Sequence, residues 1–273
     1  ILATGKGTRM NSKIPKVFHK IGNLPMIFHV LNTSKQMKPK NVCMVVSSEL
    51  GKYVNEIKNK YNNIKFILQE KQLGTADAVR SALHNNLFAN SDISLILYGD
   101  TPLISYKSLK KSLENFKKTK SDLCVLSMTP PHTNHSYGRL FLKKDRVEKI
   151  IEKSELKDKQ NHENLCNTGI MFVKTKHLKE KLKTIKNKNN KKEFYLTDIV
   201  EILSNEGRKV IHMQFPYFEF LGVNDKNDQA VVETQFQKNI RKKFLRQGVT
   251  LIDPSSVFFS SDTKIGKDVV VHP

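Results

Sequence analysis

The chain has 273 residues and a formal net charge of +21, with 47 Lys and Arg against 26 Asp and Glu. This length is enough for one large α/β domain plus a smaller appendage, and for a sizeable core. The sequence contains no apolar run of about 18 residues that would cross a bilayer and no signal-peptide pattern, so we predict a cytoplasmic protein without a membrane partner.

The excess of positive charge suggests nucleic-acid binding, because cations that neutralise phosphates release counterions. The lysines are dispersed, however, over segments such as residues 110–120 and 179–192, and no aromatic RNA-reading motif accompanies them. We therefore predict a solvated basic surface and no nucleic-acid partner. A basic nucleic-acid-binding or assembly module is the alternative outside the enzymes.

A glycine-rich segment opens the chain, Leu2-Ala3-Thr4-Gly5-Lys6-Gly7-Thr8-Arg9-Met10, and Pro15-Lys16 follows it. Backbone N–H groups of such a turn after a strand can surround phosphate oxygens, and Arg9 and Lys16 can neutralise their charge. A Gly-x-Gly alone also occurs in ordinary strand-to-helix turns. The Walker A ending and the third glycine of the dinucleotide fingerprint are both missing. Because Ile1 reads as the middle of a buried strand, we expect residues to be missing before it.

Short apolar runs alternate with longer amphipathic ones through the first half of the chain. The runs that we predict as strands cover residues 41–47, 64–69, 93–98 and 123–129. This alternation indicates βαβ units, hence an α/β fold with a mainly parallel sheet. Gly99 and Asp100 should lie at the carboxyl edge of that sheet, where open α/β sheets bind ligands.

Shorter alternating runs follow between residues 137 and 173. We predict mixed or antiparallel strands there and interpret them as a cap over the active site. The three cysteines show no disulfide or metal-site spacing and each lies in an apolar run, so we predict reduced, buried side chains for Cys43, Cys124 and Cys166.

A helical period covers residues 225–247, with Asp225 as its predicted cap and Gly248 at its end. One stripe of this helix carries Val232, Phe236, Ile240 and Phe244. Beyond it, residues 265–270 fit one turn of a hexapeptide repeat, which cannot bury its apolar face alone.

Several segments together carry a family resemblance. The opening segment resembles the G-x-G-T-R…P-K signature of sugar nucleotidyltransferases, Gln69-Glu70-Lys71-Gln72-Leu73-Gly74-Thr75-Ala76 resembles Q-x-x-Q-L-G-T-(A/G), and Tyr98-Gly99-Asp100-Thr101-Pro102-Leu103-Ile104 resembles Y-G-D-x-P-L-I. The remaining matches are Tyr137-Gly138-Arg139, Ile151-Glu152-Lys153, Asn167-Thr168-Gly169-Ile170, Phe194-Tyr195-Leu196-Thr197-Asp198 and Gly222-Val223-Asn224. Over nearly its whole length the chain resembles bacterial N-acetylglucosamine-1-phosphate uridyltransferases.

The resemblance implies a Rossmann-like nucleotidyltransferase domain in residues 1–224, a linking helix in residues 225–247, and the first rung or rungs of a truncated left-handed parallel β-helix in residues 248–273. In that family the uridyltransferase is usually the amino-terminal half of a bifunctional enzyme, and the carboxyl half is an acetyltransferase. We expect no acetyl transfer from this chain. A homotrimer is expected only where the β-helix is complete.

The implied reaction joins UTP and N-acetylglucosamine 1-phosphate to give UDP-N-acetylglucosamine and pyrophosphate. The implied catalytic residues are Arg9 and Lys16. The implied nucleotide-binding residues are Leu2, Ala3, Thr4, Gly5, Lys16, Gln69, Gly74 and Thr75. The implied sugar-phosphate residues are Tyr98, Gly99, Asp100, Gly138, Glu152, Asn167 and Asn224, with Thr197 as a weaker candidate.

The resemblance also implies Mg²⁺, held by Asp100 and Asn224. A cation with few protein ligands can bridge substrate phosphates. The attacking phosphate oxygen is already an anion, so we assign no general base, and we interpret His19 and His29 as packing or surface residues.

This sequence departs from the family pattern at three positions: Thr4 stands where Ala is usual, Asp77 where His is common, and Ser154 where Asp is expected. The alternatives within the enzyme class are another sugar-1-phosphate nucleotidyltransferase, with a different sugar or with dTTP, and a catalytically silent fragment.

Overall fold

The computed structural model describes residues 1–83, 88, 91–132, 135–157 and 163–273. The strands are β1 Leu2–Ala3, β2 Lys20–Ile21, β3 Leu24–Pro25, β4 Val42–Val46, β5 Ile64–Leu68, β6 Ile93–Ile96, β7 Leu123–Met128, β8 Arg139–Lys143, β9 Arg146–Ile151, β10 Cys166–Lys174, β11 Val210–Gln214, β12 Thr250–Leu251 and β13 Val270–Val271. The helices are α1 Met26–Gln36, α2 Val54–Lys60, α3 Thr75–Leu83, α4 Tyr106–Lys118, α5 Thr175–Lys181, α6 Asp198–Asn205 and α7 Lys226–Arg246.

A mixed sheet in the order β5-β4-β1-β6-β10-β7-β11 forms the centre of the molecule. A parallel bridge between Leu2 and Tyr98 joins β1 to the end of β6, and the Leu2 N–H donates to the Leu97 carbonyl at 2.8 Å. Every neighbouring pair is parallel except the two that involve β10. The prediction of a mainly parallel sheet is confirmed.

The interpretation of residues 137–173 as a cap is wrong for their last part. Strand β10 lies inside the sheet, antiparallel to both β6 and β7. Its interior is apolar on both faces, because Met171 and Phe172 pack into different core clusters. Strands β8 and β9 form the predicted antiparallel hairpin, which joins β10 through the pair Arg139–Cys166.

Helices cover both faces of the sheet, so alternate strand residues face different layers. Helices α3, α5 and α6 pack on the face that carries Val125 and Met171. Helices α1 and α4 pack on the opposite face, against Leu126 and Phe172. Cys43, Cys124 and Cys166 are buried and free, as predicted. Within the described ranges, no helix is both long and apolar enough to cross a membrane.

Helix α7 follows this domain and begins where the sequence predicts it, since the Asp225 carboxylate accepts the Asp228 N–H at 2.9 Å. The helix docks on the β2–β3 turn at Gly22, whose N–H donates to the Glu233 carboxylate at 2.7 Å. Val232, Ile240 and Phe244 of the predicted stripe are buried, and Phe236 is partly buried.

The tail after α7 packs back on the helix. The Gln237 side chain makes two hydrogen bonds of 2.8 Å to the backbone of Phe259. Strands β12 and β13 pair in parallel, with Thr250 opposite Val270 and Leu251 opposite Val271. One such pair does not make a β-helix, and that part of the prediction stays a prediction.

Candidate active site

The glycine loop encloses Lys16. Gly7 has a φ of 63°, and a Cβ atom there would stand 2.9 Å from the Cβ of Lys16. Lys16 begins a second short 3₁₀ turn, Lys16–Phe18, six residues after Met10. The chain therefore folds back on itself so that the Lys16 side chain packs against Gly5 and Gly7, an arrangement that suits an anion.

Lys16 reaches across the sheet edge to Asp100 and pairs with its carboxylate. Both side chains are largely buried, with 14% and 19% of their surface exposed. The Val223 N–H donates to the Asp100 carbonyl at 3.0 Å, which places Asn224 beside this pair. The Asn224 N–H is held in turn by the Asp228 carboxylate at 2.8 Å. The structure thus brings three of the predicted residues together.

Gln69 directly follows β5 at the same edge of the sheet and is only 2% exposed. Its amide nitrogen donates to the Gly74 carbonyl at 3.2 Å and to the Asp77 carboxylate at 2.7 Å. Gly74 has a φ of 118°, and a Cβ atom there would lie 2.6 Å from the Phe194 carbonyl oxygen. We call Gly5, Gly7, Gln69 and Gly74 the glycine side of the site.

A second group of predicted residues gathers around Glu152, directly after β9. The Thr197 hydroxyl donates to the Glu152 carboxylate at 2.9 Å. A Cβ atom on Gly138 would lie 3.2 Å from the other carboxylate oxygen, and the Gly138 carbonyl accepts the Asn167 N–H at 2.9 Å. We call Gly138, Glu152, Asn167 and Thr197 the carboxylate side.

A bulge in β10 presents Asn167 to this side. The register against β7 shifts between Asn167 and Met171, and Gly169 inside the shift has a φ of 83°. The Asn167 side-chain oxygen accepts the Gly169 N–H at 2.9 Å, so its NH₂ group is the part available to a ligand. Bulges commonly redirect side chains in this way near binding sites.

Tyr98 stands between the two sides. Its hydroxyl is hydrogen-bonded to the side chain of Thr75, whose oxygen also accepts the Leu196 N–H at 3.0 Å. Burial raises the pKa of Tyr98 well above its ordinary value, and the nearby Glu152 and Asp100 carboxylates raise it further. The phenol is therefore a neutral hydrogen-bonding group. Gly169 packs directly on the Tyr98 ring.

Two acids on or next to the carboxylate side have pKa values above their ordinary range. Burial raises the pKa of Glu152, although the Thr197 hydrogen bond opposes this. Burial and then the charges of Glu152 and Glu201 raise the pKa of Asp198 to about 6. Both acids line a polar cavity of about 230 Å³ together with Lys186 and Tyr195. Both acids are thus affected by burial and by neighbouring negative charges, and both effects favour the protonated form relative to a free carboxyl group.

Arg9 is one predicted residue for which the structure shows no contact with the others. It is exposed in the short 3₁₀ turn Thr8–Met10 and forms no ion pair with a described residue.

Three residues of the site were not singled out from the sequence as functional: Asp77, Tyr137 and Asp228. Asp77 holds the Gln69 amide, and Asp228 holds the backbone of Asn224. Burial, and then Tyr217, raise the pKa of Tyr137 to about 12, and the backbone of Gly222 hydrogen-bonds it beside Asp100. An Asp in the first turn of a helix reads as an ordinary stabilising residue, so the sequence carries no distinct signal for the two carboxylates.

Known proteins share both sequence and fold with this chain. The profile described as Nucleotidyl transferase matches residues 1–220. "Bifunctional protein GlmU" of Wolbachia pipientis wMel is 40% identical over 275 residues, covering 100% of this chain and 62% of that protein. The protein of the same name from Brucella anthropi is 36% identical, and the alignment covers 100% of this chain and 60% of that protein. The chain thus spans about three fifths of the length of these relatives.

Solved structures show the same fold at much lower sequence identity. An apo UDP-glucose pyrophosphorylase superposes with a TM-score of 0.69 at 15% identity, over 88% of this chain and 98% of that one. An inositol-1-phosphate CTP transferase from T. maritima superposes with a TM-score of 0.65 at 15% identity, over 87% of this chain and 94% of that one.

Proposed function

The chain belongs to the nucleotidyl transferase family, and we propose that it transfers UMP from UTP to N-acetylglucosamine 1-phosphate, giving UDP-N-acetylglucosamine and pyrophosphate. Relatives named "Bifunctional protein GlmU" align with the whole chain, which supports this choice within the family. The pathway served would be the synthesis of cell-envelope precursors.

The contact between Lys16 and Asp100 carries the proposal. It joins Lys16, which packs against Gly5 and Gly7 of the glycine side, to Asp100 just after β6. A phosphate placed there would meet the Lys16 ammonium and the loop N–H groups at once. Both substrates carry phosphate, and the bond to be made lies between them.

The proposed nucleotide contacts are Leu2, Ala3, Thr4, Gly5, Lys16, Gln69, Gly74 and Thr75. The proposed sugar-phosphate contacts are Tyr98, Gly99, Asp100, Gly138, Glu152, Asn167 and Asn224. Arg9 and Lys16 would neutralise the phosphates in the transition state. In the reaction, an oxygen of the sugar phosphate forms a bond to the α-phosphorus of UTP, and the bond from that phosphorus to the leaving pyrophosphate breaks.

The Asp100 carboxylate and the Asn224 amide oxygen fit Mg²⁺, because both are hard oxygen donors on adjoining backbone segments. No group of three or more His, Cys, Asp or Glu capable of holding a metal occurs among the described residues. The remaining positions would therefore belong to substrate phosphates and water. When bound, Mg²⁺ supplies charge neutralisation at the phosphates.

We propose that residues 248–273 form the beginning of a left-handed β-helix. The parallel pairing of β12 with β13 across a loop of the chain supports this. Homotrimer formation would require further coils of such a β-helix.

The test is pyrophosphate release from UTP and N-acetylglucosamine 1-phosphate with Mg²⁺, compared between the wild-type chain and Asp100→Ala. We expect release only with both substrates, and a loss of roughly a thousandfold in the variant, since the change removes a metal ligand and the Lys16 partner together. Asp145→Ala, on the exposed β8–β9 turn, is the control and should retain full activity.

A panel of other sugar phosphates and of dTTP and CTP completes the test. Turnover faster with another pair would assign the chain to a different member of the family, as the low-identity structural matches to enzymes of glucose and inositol phosphates allow. No turnover from a folded chain with any pair would favour a silent fragment.

A further inference from the structure

The side-chain amide of Gln69 is fixed in one orientation by its surroundings. An amide NH₂ group has two hydrogens. The Gly74 carbonyl and the Asp77 carboxylate take one each, at 3.2 and 2.7 Å. Both donors of the amide are therefore used inside the protein.

The opposite orientation is excluded by charge. If the amide were turned over, its oxygen would face the Gly74 carbonyl oxygen and the Asp77 carboxylate, three acceptors with no proton between them. The hydrogen bond to Asp77 stabilises the observed orientation more than the one to Gly74, because hydrogen bonds to charged acceptors are stronger.

The carboxylate that imposes this orientation is itself anchored. Its second oxygen lies 3.9 Å from the Arg80 guanidinium. Arg80 donates to the Leu182 carbonyl at 2.8 Å and lies over the Phe194 ring at 4.9 Å. Asp77 is thus held between Gln69 and a cation that cannot move freely.

The remaining polar atom of Gln69, its oxygen Oε1, is buried and has no hydrogen-bond partner among the described residues. A buried acceptor without a donor is unfavourable. A ligand that places an N–H group beside Oε1 would form the hydrogen bond that is missing in the free protein. The rest of the amide cannot donate.

We propose that Asp77 is a positioning residue for base selection: it holds Gln69 with only an acceptor left, so that the site prefers a pyrimidine with a proton on N3. Uracil and thymine carry that proton, whereas N3 of cytosine is an acceptor and would face Oε1 as a like group. The proposal rests on the proposed function, in which Gln69 contacts the nucleotide, and it assigns that contact to the base.

The experiment compares kcat/KM for UTP and CTP, with the same sugar phosphate, in wild type, Asp77→Ala and Asp77→Asn. We expect Asp77→Ala to lower the UTP-to-CTP ratio about tenfold, mainly through a higher KM for UTP, because the amide is then free to present its NH₂ group. Asp77→Asn keeps an oxygen that can accept the Gln69 proton, so it should retain most of the ratio. Asp77→Ser replaces Asp77→Ala should the latter fail to fold, since Ser is well tolerated at helix starts.

A purely structural role for Asp77 predicts a different result. The melting midpoint would fall in Asp77→Ala while the UTP-to-CTP ratio stayed at the wild-type value, and that outcome would overturn the proposal. Failure of the proposed function is distinct, because wild type itself would then not use UTP. Asp145→Ala controls for the loss of one negative charge.

Discussion

The glycine side and the carboxylate side of the site present different kinds of chemical group. The glycine side presents mainly backbone groups, in tight turns where Gly7 and Gly74 have positive φ angles. The carboxylate side presents side chains, with Glu152 and Asn167 held by Thr197 and by the β10 bulge. The glycine side should therefore be sensitive to any added Cβ atom. The carboxylate side should be sensitive to small changes of side-chain chemistry and to pH.

Gly74→Ala tests the backbone side and should have the largest effect. The added Cβ would lie 2.6 Å from the Phe194 carbonyl oxygen, at a φ of 118° that side chains rarely adopt. We expect the free energy of unfolding to fall by about 3 kcal/mol, the upper range for one strained residue, with a higher KM for UTP. Chemical denaturation and steady-state kinetics measure the two quantities.

Gly51→Ala is the matched control for that change, since a Cβ on Gly51 meets no atom within 4 Å. Equal effects of the two substitutions would contradict the distinction between the two sides.

Glu152→Gln tests the side-chain side while keeping size and the Thr197 contact. Hydrogen bonds to a charged group contribute about 2 kcal/mol, so kcat/KM for the sugar phosphate should fall roughly thirtyfold. The KM for UTP should stay unchanged, because Glu152 belongs to the carboxylate side alone. Glu148→Gln on the preceding strand serves as control, and a rise of the KM for UTP in Glu152→Gln would count against two separable sides.

Asp198→Asn sharpens the pH part of the comparison and should have the smallest effect. Because burial and the Glu152 charge raise its pKa from 3.8 to about 6, folded Asp198 binds a proton more tightly than unfolded Asp198. Stability is therefore lost as pH rises through this window, and the loss is complete above it. After allowance for solvent screening, we expect the variant to be more stable than wild type by about 1 kcal/mol at neutral pH.

That advantage should disappear as the pH falls below 3.8, where Asp198 becomes protonated in both the folded and the unfolded wild type. Denaturation at several pH values measures it. A constant difference across the window would mean that the Asp198 charge is not the cause.

Local patterns predicted much of this fold. The apolar runs gave the parallel strands within one or two residues, and the Asp225 cap with its apolar stripe gave α7. These features depend on short-range periodicity and capping, which a single sequence displays directly. The structure also pairs Lys16 with Asp100 and places Asn224 next to Val223, which hydrogen-bonds the Asp100 carbonyl, while the roles predicted for these residues stay predictions.

Features that depend on distant contacts were not predicted. Strand β10 was assigned to a cap because its alternating start resembles a half-exposed strand, whereas its neighbours in the sheet bury both faces. The role of Asp77 depends on Gln69, eight residues earlier and on another element. The periodicity of the sequence does not indicate a hydrogen bond such as the one between Asp77 and Gln69.

The Lys16–Asp100 ion pair makes loading of the proposed enzyme an exchange of counterions. In the free protein the Asp100 carboxylate already has a cation. In the proposed reaction, Lys16 would turn to the nucleotide phosphates while Asp100 took a cation as its new partner, so the net charge around the two side chains would change little. We therefore expect the nucleotide and its cation to bind more tightly together than either does alone.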